Sequence, residues 1–273
     1  MLRWTAPFCE AVAARGFRVI RFDNRDAGLS THLSDEPAPS LAALSAAVAG
    51  GQAFATPYTL EDMAGDAIGL LDALGIERAH VVGRSMGGMI AQVIASSHAR
   101  RTLSLTAIMS STGNPRIPKA APEVTAMSMR PAPSPSADLE GYLAHGLALA
   151  RRIAGPGYPF DEKGHRAVVL RELERSYDPA GAVRQIAAIA ATGDLRPRLA
   201  DVTVPTLVAH GADDPLVPPA AGRDIAASIA DARLLIIDGM GHDLPAPLHA
   251  TMVRAIDENA RRADGTLRAR RRF

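Results

Sequence analysis

The fold of this chain is decided at Ala79-His80-Val81-Val82-Gly83-Arg84-Ser85-Met86-Gly87-Gly88-Met89-Ile90. Ala79 to Val82 is a short apolar run of strand type, and Met89, Ile90, Val93 and Ile94 recur at helical spacing just beyond it. A serine therefore falls on a sharp strand-to-helix turn, the setting that gives a Gly-x-Ser-x-Gly pattern chemical meaning. Gly83 and Gly87 leave room for a strained Ser85 to project, and Gly88 permits close packing of the helix on the strand. The Met86 N–H, at the helix N-terminus, is then aimed at an oxyanion forming beside the serine.

Reading outward, the same alternation recurs. Ala6 to Ala14 has a helical pattern stopped by Gly16, and Phe17 to Phe22 is a β-branched and aromatic run predicted as a strand. Thr59 is placed to cap a helix carrying Leu60, Met63, Ala67, Ile68, Leu71 and Leu74, with Gly75 just past its end. Thr102 to Met109, Val204 to Ala209 and Leu234 to Ile237 are three further apolar runs. Strands alternating with helices imply an α/β fold, a mainly parallel sheet with helices on both faces. Residues 113–195 break the alternation, with a proline-rich start and helical segments near 138–152, 162–176 and 179–191. They are expected to form a helical cap inserted into a core made of residues 1–112 and 196–273. Its Met127, Met129, Tyr142, Leu143, Leu147 and Leu149 are expected to pack into the cap's own core.

The 273 residues carry 30 basic and 29 acidic side chains, a formal net charge of +1, which gives no broad field for drawing in nucleic acid or an anionic membrane. The six arginines after residue 260 are expected to form a solvated tail. No run of about 18 apolar residues occurs, and the first residues lack a secretory layout, so a cytoplasmic location is expected. Cys9, the single cysteine, excludes an internal disulfide and is expected as a buried structural thiol on a helix face. No Cys/His cluster has metal-ligand spacing and no glycine loop precedes Lys-Ser or Lys-Thr, so no cofactor or metal is expected.

A serine hydroxyl needs a base to take its proton, and the base needs an acid to hold its tautomer. His242, in Asp238-Gly239-Met240-Gly241-His242-Asp243, follows the last apolar run and so comes to the carboxyl edge of the sheet. His210-Gly211-Ala212-Asp213-Asp214 follows Val204 to Ala209, and either aspartate could supply the acid. His32, His80, His98, His145, His165 and His249 are read as structural or solvated, without a carboxylate partner at a strand-end loop. His210 is read as part of the turn that carries the acid. Asp23 and Arg25 are expected to brace the loop beside the serine.

With these motifs, and with Phe22-Asp23-Asn24-Arg25-Asp26-Ala27-Gly28-Leu29-Ser30 matching the loop after the family's fourth strand, the chain resembles the α/β-hydrolases from Ala6 to about Ala260. Within them it is similar to esterases of the aclacinomycin methylesterase type. The resemblance implies a triad of Ser85, Asp214 and His242 in the fold's chain order, because His210-Gly211-x-x-Asp214 matches the family's His-Gly-x-x-Asp pattern. It implies hydrolysis of a small carboxylic ester through an acyl-enzyme on Ser85, with no cofactor. Lactonase, carbon-carbon bond hydrolase and cofactor-free haloperoxidase activities use the same triad and stay open. Haloalkane dehalogenase and epoxide hydrolase do not, since both place an aspartate where this chain has Ser85. The expected partner is the small-molecule ester alone, with no nucleic acid or membrane, and self-association into a homodimer is left open.

One departure from the family is plain. Its first three strands have no counterpart here, and the loop after the third usually supplies the second oxyanion N–H. The third strand lies between the fourth and fifth, so Phe17 to Phe22 and Ala79 to Val82 would flank a vacant slot. Unpaired ladder groups cost on the order of 1 to 3 kcal/mol each, against a total stability of about 5 to 15 kcal/mol. The expectation is that the working protein starts further upstream and that Met1 is internal to it. The rival expectation is an inactive truncated hydrolase-fold binding protein.

Overall fold

In this computed structural model the chain is described for residues 1–52 and 54–270, with the side chains of Ala49 and of residues 264–270 left aside. Helices α1 (Ala6–Ala13), α2 (Leu41–Ala49) and α3 (Leu60–Ala73) precede strand β1 (Ala79–Arg84). Helix α4 (Met86–Ser97) then leads to β2 (Thr102–Ile108). Five helices follow: α5 (Pro122–Ser128), α6 (Leu139–Ile153), α7 (Glu162–Arg175), α8 (Pro179–Thr192) and the single turn α9 (Arg196–Leu199). Strand β3 (Thr206–Gly211), α10 (Pro219–Ser228), β4 (Arg233–Ile237) and α11 (His249–Arg270) complete the order.

The four strands pair in the order β1-β2-β3-β4, all parallel. Alternate residues of β2 enter different apolar clusters, as the two-residue period of a strand requires. Leu105 and Ala107 join α3 and α4 through Met63, Met89, Val93 and Ile94. Ile108 turns to the opposite face and joins Phe8 of α1 with Met252, Val253 and Ile256 of α11. Both faces are thus covered, and the turns after β1, β2, β3 and β4 gather at one carboxyl edge.

Local chemistry sets the helix ends. Thr59 donates its N–H and hydroxyl to Asp62 at 2.8 and 3.0 Å, and Gly75 closes the same helix at φ 64°. Asp138, Asp161 and Asp178 each accept the amide three residues on and so start α6, α7 and α8.

Three expectations need correction. Phe17 to Phe22 is extended but belongs to no sheet among the described residues, and Val19, Ile20 and Phe22 are exposed. Strand propensity is present, but a strand exists only through a ladder partner, and neither β1 nor any other described segment pairs with this run. The sheet accordingly begins at β1, without the N-terminal strands of the family. The arginine-rich C-terminus, expected as a tail, is helical through Arg270, carried by the apolar stripe Met252, Val253, Ile256, Ala260 and Ala263. Among the helices between β2 and β3, only Leu143 of the six expected core residues is fully buried, and Met129 is exposed. Cys9 is half-buried on α1.

Candidate active site

Ser85 sits at φ 52° and ψ −125°, a conformation costing about 1 to 3 kcal/mol for a residue with a side chain. The surroundings impose it. The Ser85 N–H donates to Ile108 O at 2.9 Å, while Ser85 O accepts the Gly88 amide at 2.9 Å and the Ser110 hydroxyl at 2.8 Å. A Cβ on Gly83 would lie 2.0 Å from Gly87 O, so glycine is obligatory there. A Cβ on Gly87 would meet nothing within 4 Å, so the expectation that both flanking glycines clear the serine holds for Gly83 only. Gly87 matters as the backbone that Gly83 must approach. Gly88 meets Ser110, beyond β2, more closely than its own strand, with a Cβ falling 2.5 Å from Ser110 Cβ.

The two adjacent aspartates have different work. Asp214 Oδ1 accepts the Leu216 and Val217 amides at 2.9 and 2.8 Å, which leaves Oδ2 to meet His242 Nδ1 at 2.7 Å. Asp213 instead accepts the Gly239 amide at 2.8 Å and so staples the acid turn to the histidine loop. His242 Nε2 lies 3.0 Å from Ser85 Oγ. A carboxylate only accepts, so Nδ1 carries the proton and Nε2 offers its lone pair to the serine hydroxyl. Asp214 is fully buried, His242 nearly so, and Ser85 is half-buried, which leaves the hydroxyl end of the relay the most accessible.

His210 lies 3.6 Å from Asp214 Oδ2 but donates from Nε2 to Val217 O at 2.8 Å, tying β3 to the acid turn. Burial pushes its imidazole below the ordinary 6.5, against the opposing pull of Val217 O and Asp214. Below pH 6.5 the unfolded chain takes up this proton before the folded one, so the stability gained from a neutral His210 is lost as pH falls. Urea unfolding should give a midpoint that drops between pH 7 and 5, with a shallower drop for His210→Gln.

Two histidines read as structural or solvated, and not at strand-end loops, have carboxylate neighbours. His32 Nδ1 meets Asp178 Oδ2 at 2.7 Å, which raises its pKa, and His165 Nε2 lies 3.6 Å from Asp243. Asp23 and Arg25 do not form one network. Asp23 accepts the Leu29 amide and pairs with Arg175 of α7, whereas Arg25 pairs with Asp66 at 2.7 Å and lies over the Tyr58 ring.

The brace that sequence reasoning missed is Asp26 with Arg184 of α8. Both are buried, and they share two hydrogen bonds of 2.8 and 2.9 Å. Burial alone would raise the Asp26 carboxyl, but Arg184, the Leu33 amide and the Tyr58 hydroxyl outweigh it and hold the pKa at about 2. Asp26, His32 and Asp178 are spaced as metal ligands could be. The Arg184 guanidinium, bonded to both carboxylates, already takes the place of a cation there.

Ser85, His242 and Asp214 thus form a hydrogen-bonded chain beside a sharp strand-to-helix turn at the carboxyl edge of a parallel sheet, the arrangement of the α/β-hydrolase class. The chain belongs to the alpha/beta hydrolase fold family, whose model matches residues 3–154. It is similar to the rhodomycin D methylesterase DauP of Streptomyces sp. (strain C5), 29% identical over 290 residues that cover 95% of this chain and 87% of the relative. It is 30% identical to the 2-hydroxy-6-oxononadienedioate/2-hydroxy-6-oxononatrienedioate hydrolase of Paraburkholderia xenovorans over 182 residues, 64% of this chain and 59% of that one. Among solved structures, the enol-lactonase from Burkholderia xenovorans LB400 superposes with a TM-score of 0.65 at 25% identity, covering 94% of this chain and 85% of the other. No described helix is long and apolar enough to cross a membrane.

Proposed function

We propose that the protein is a cofactor-independent serine hydrolase of small carboxylic esters. The observation that carries this reading is the continuous relay of 3.0 Å from Ser85 Oγ to His242 Nε2 and 2.7 Å from His242 Nδ1 to Asp214 Oδ2. His242 takes the hydroxyl proton as Ser85 Oγ attacks the ester carbonyl, and Asp214 stabilises the imidazolium. The tetrahedral oxyanion is met by the Met86 N–H. Collapse breaks the carbon–oxygen bond, the departing alcohol takes the proton from His242, and an acyl-enzyme remains. Water then gives a proton to His242 as it attacks the acyl carbon, and His242 passes that proton to Ser85 Oγ as the acyl–oxygen bond breaks, releasing the acid and restoring Ser85. The likeness to a methylesterase over 95% of the chain supports an ester as the substrate class. The helices between β2 and β3 act in this reading as a cap that shapes the acyl and alcohol pockets.

The enol-lactonase likeness favours one second reading, in which the ester is cyclic and acid and alcohol leave as one molecule. The same relay serves it. Release of p-nitrophenol from short acyl esters, set beside ring opening of simple lactones, separates the two. A fluorophosphonate should label Ser85 and no other serine; labelling elsewhere would overturn Ser85 as nucleophile, and no labelling with no turnover of either substrate class would leave the inactive hydrolase-fold binding protein as the surviving reading.

A further inference from the structure

The loop that carries His242 does not stand alone. Helix α6 ends at Ile153, and the last carbonyls of a helix have no partner within it. Here two of them are taken by the histidine loop: the His242 N–H donates to Ile153 O at 2.6 Å and the Gly241 N–H to Ala154 O at 2.9 Å. A third bond runs the other way, from the Gly157 N–H to Gly239 O at 2.9 Å. The backbones touch so closely that side chains are excluded on both sides. A Cβ on Gly155 would lie 2.3 Å from Gly241 N, one on Gly157 2.5 Å from Gly239 Cα, and one on Gly241 2.2 Å from Ile153 O. Next to the clasp, Asp243 lies 3.8 Å from Arg84 and 3.6 Å from His165 of α7, so its side chain also sits between the elbow strand and the insertion.

We infer that the Ile153–Gly157 segment is a positioning element for His242: the helical insertion holds the base in register with Ser85 through these three main-chain hydrogen bonds. Asp214 fixes the imidazole at its Nδ1, but the backbone from which the ring projects is held by α6. Helix α6 also carries Arg152 and Glu140, which pair with Glu123 of α5 and Arg166 of α7, so a shift of the insertion reaches the base directly. The inference rests on the proposed roles of Ser85 and His242 and assigns the insertion a part in the chemical step besides shaping a pocket.

The test begins with the unaltered protein, so that it does not depend on any variant folding. In hydrogen exchange without substrate, the Gly157, Gly241 and His242 amides should be protected and should open together with the end of α6. Exchange of Gly241 and His242 at free-loop rates while α6 stays protected would overturn the inference. Gly157→Ala and Gly155→Ala should lower kcat about 100-fold, the cost of a misplacement near 1 Å, with KM changed by a few-fold at most. They should also shift or broaden the downfield proton resonance of His242 Nδ1–H. Gly146→Ala, on α6 where a Cβ meets nothing within 4 Å, should leave rate and resonance as they are. Gly157→Ala with unchanged kcat and resonance counts against the clasp, as does a fall in thermal stability with the resonance unmoved. Fluorophosphonate labelling of Ser85 decides the catalytic reading separately, because exchange and labelling fail independently.

Discussion

Ser85→Ala should abolish turnover, lowering kcat by roughly 10⁴-fold or more, while the fold and thermal midpoint are retained. The substitution removes one oxygen and leaves the Cβ and backbone of the elbow in place. The Ser85 amide and carbonyl keep their bonds to Ile108, Gly88 and Ser110, so stability changes little. What is lost is the atom 3.0 Å from His242 Nε2. His242→Ala should cost a similar factor, and Asp214→Asn about 10⁴-fold, because an amide in place of the carboxylate favours the wrong imidazole tautomer. The three losses should not add, since each residue acts only through the others. Steady-state rates on a short p-nitrophenyl ester check all of this; a Ser85→Ala rate within tenfold of the parent would sink the assignment.

Arg184→Met should be the most destabilising single change outside the site. It leaves the buried Asp26 carboxylate without its cation, at a cost of about 3 to 5 kcal/mol. At about 2 to 4 °C per kcal/mol, the thermal midpoint falls by roughly 6 to 20 °C. Asp26→Asn combined with Arg184→Met should recover much of the loss, because no charge is then stranded. Acid unfolding supplies an independent check. Folded Asp26, at about 2, releases its proton more readily than an unfolded carboxyl near 3.8, so its stabilisation is whole above pH 4 and is lost as pH falls towards 2. In Arg184→Met burial of Asp26 is no longer offset by its cation, so protonation relieves the penalty and the midpoint gap to the parent should narrow as pH falls. Differential scanning calorimetry from pH 7 down to 3 would show both effects, and a midpoint in the variant within 2 °C of the parent at pH 7 would refute the ledger for this pair.

The elbow was legible because its signals are local. A strand, a turn with an obligatory glycine, a serine and a helix lie within a dozen residues, and each is fixed by backbone sterics that neighbours impose. His242 and the acid turn were legible for a similar reason, since each follows an apolar strand by a few residues. Helix α2 went unseen although Ser40 caps it and Leu41, Leu44 and Val48 fall at helical spacing, because the alanines between them spread apolar character around every face. Phe17 to Phe22 misled for the opposite reason: its β propensity is strong, but pairing is a property of two segments and only one was in view.

Sequence alone thus determined the class of the fold, and it placed Ser85 and His242 at the strand-end turns where the structure has them, all through periodicity and turns that span a few residues. The tertiary structure decided what depends on contacts between distant segments. Periodicity left Asp213 and Asp214 equivalent and only the family pattern favoured Asp214; the structure aims Asp214 at His242 and has Asp213 staple two loops. It paired Asp26 with Arg184 across 158 positions and brought the end of α6 onto the histidine loop. Direction and partner, unlike propensity, are fixed only when the chain has closed on itself and distant donors and acceptors have been brought within reach of one another.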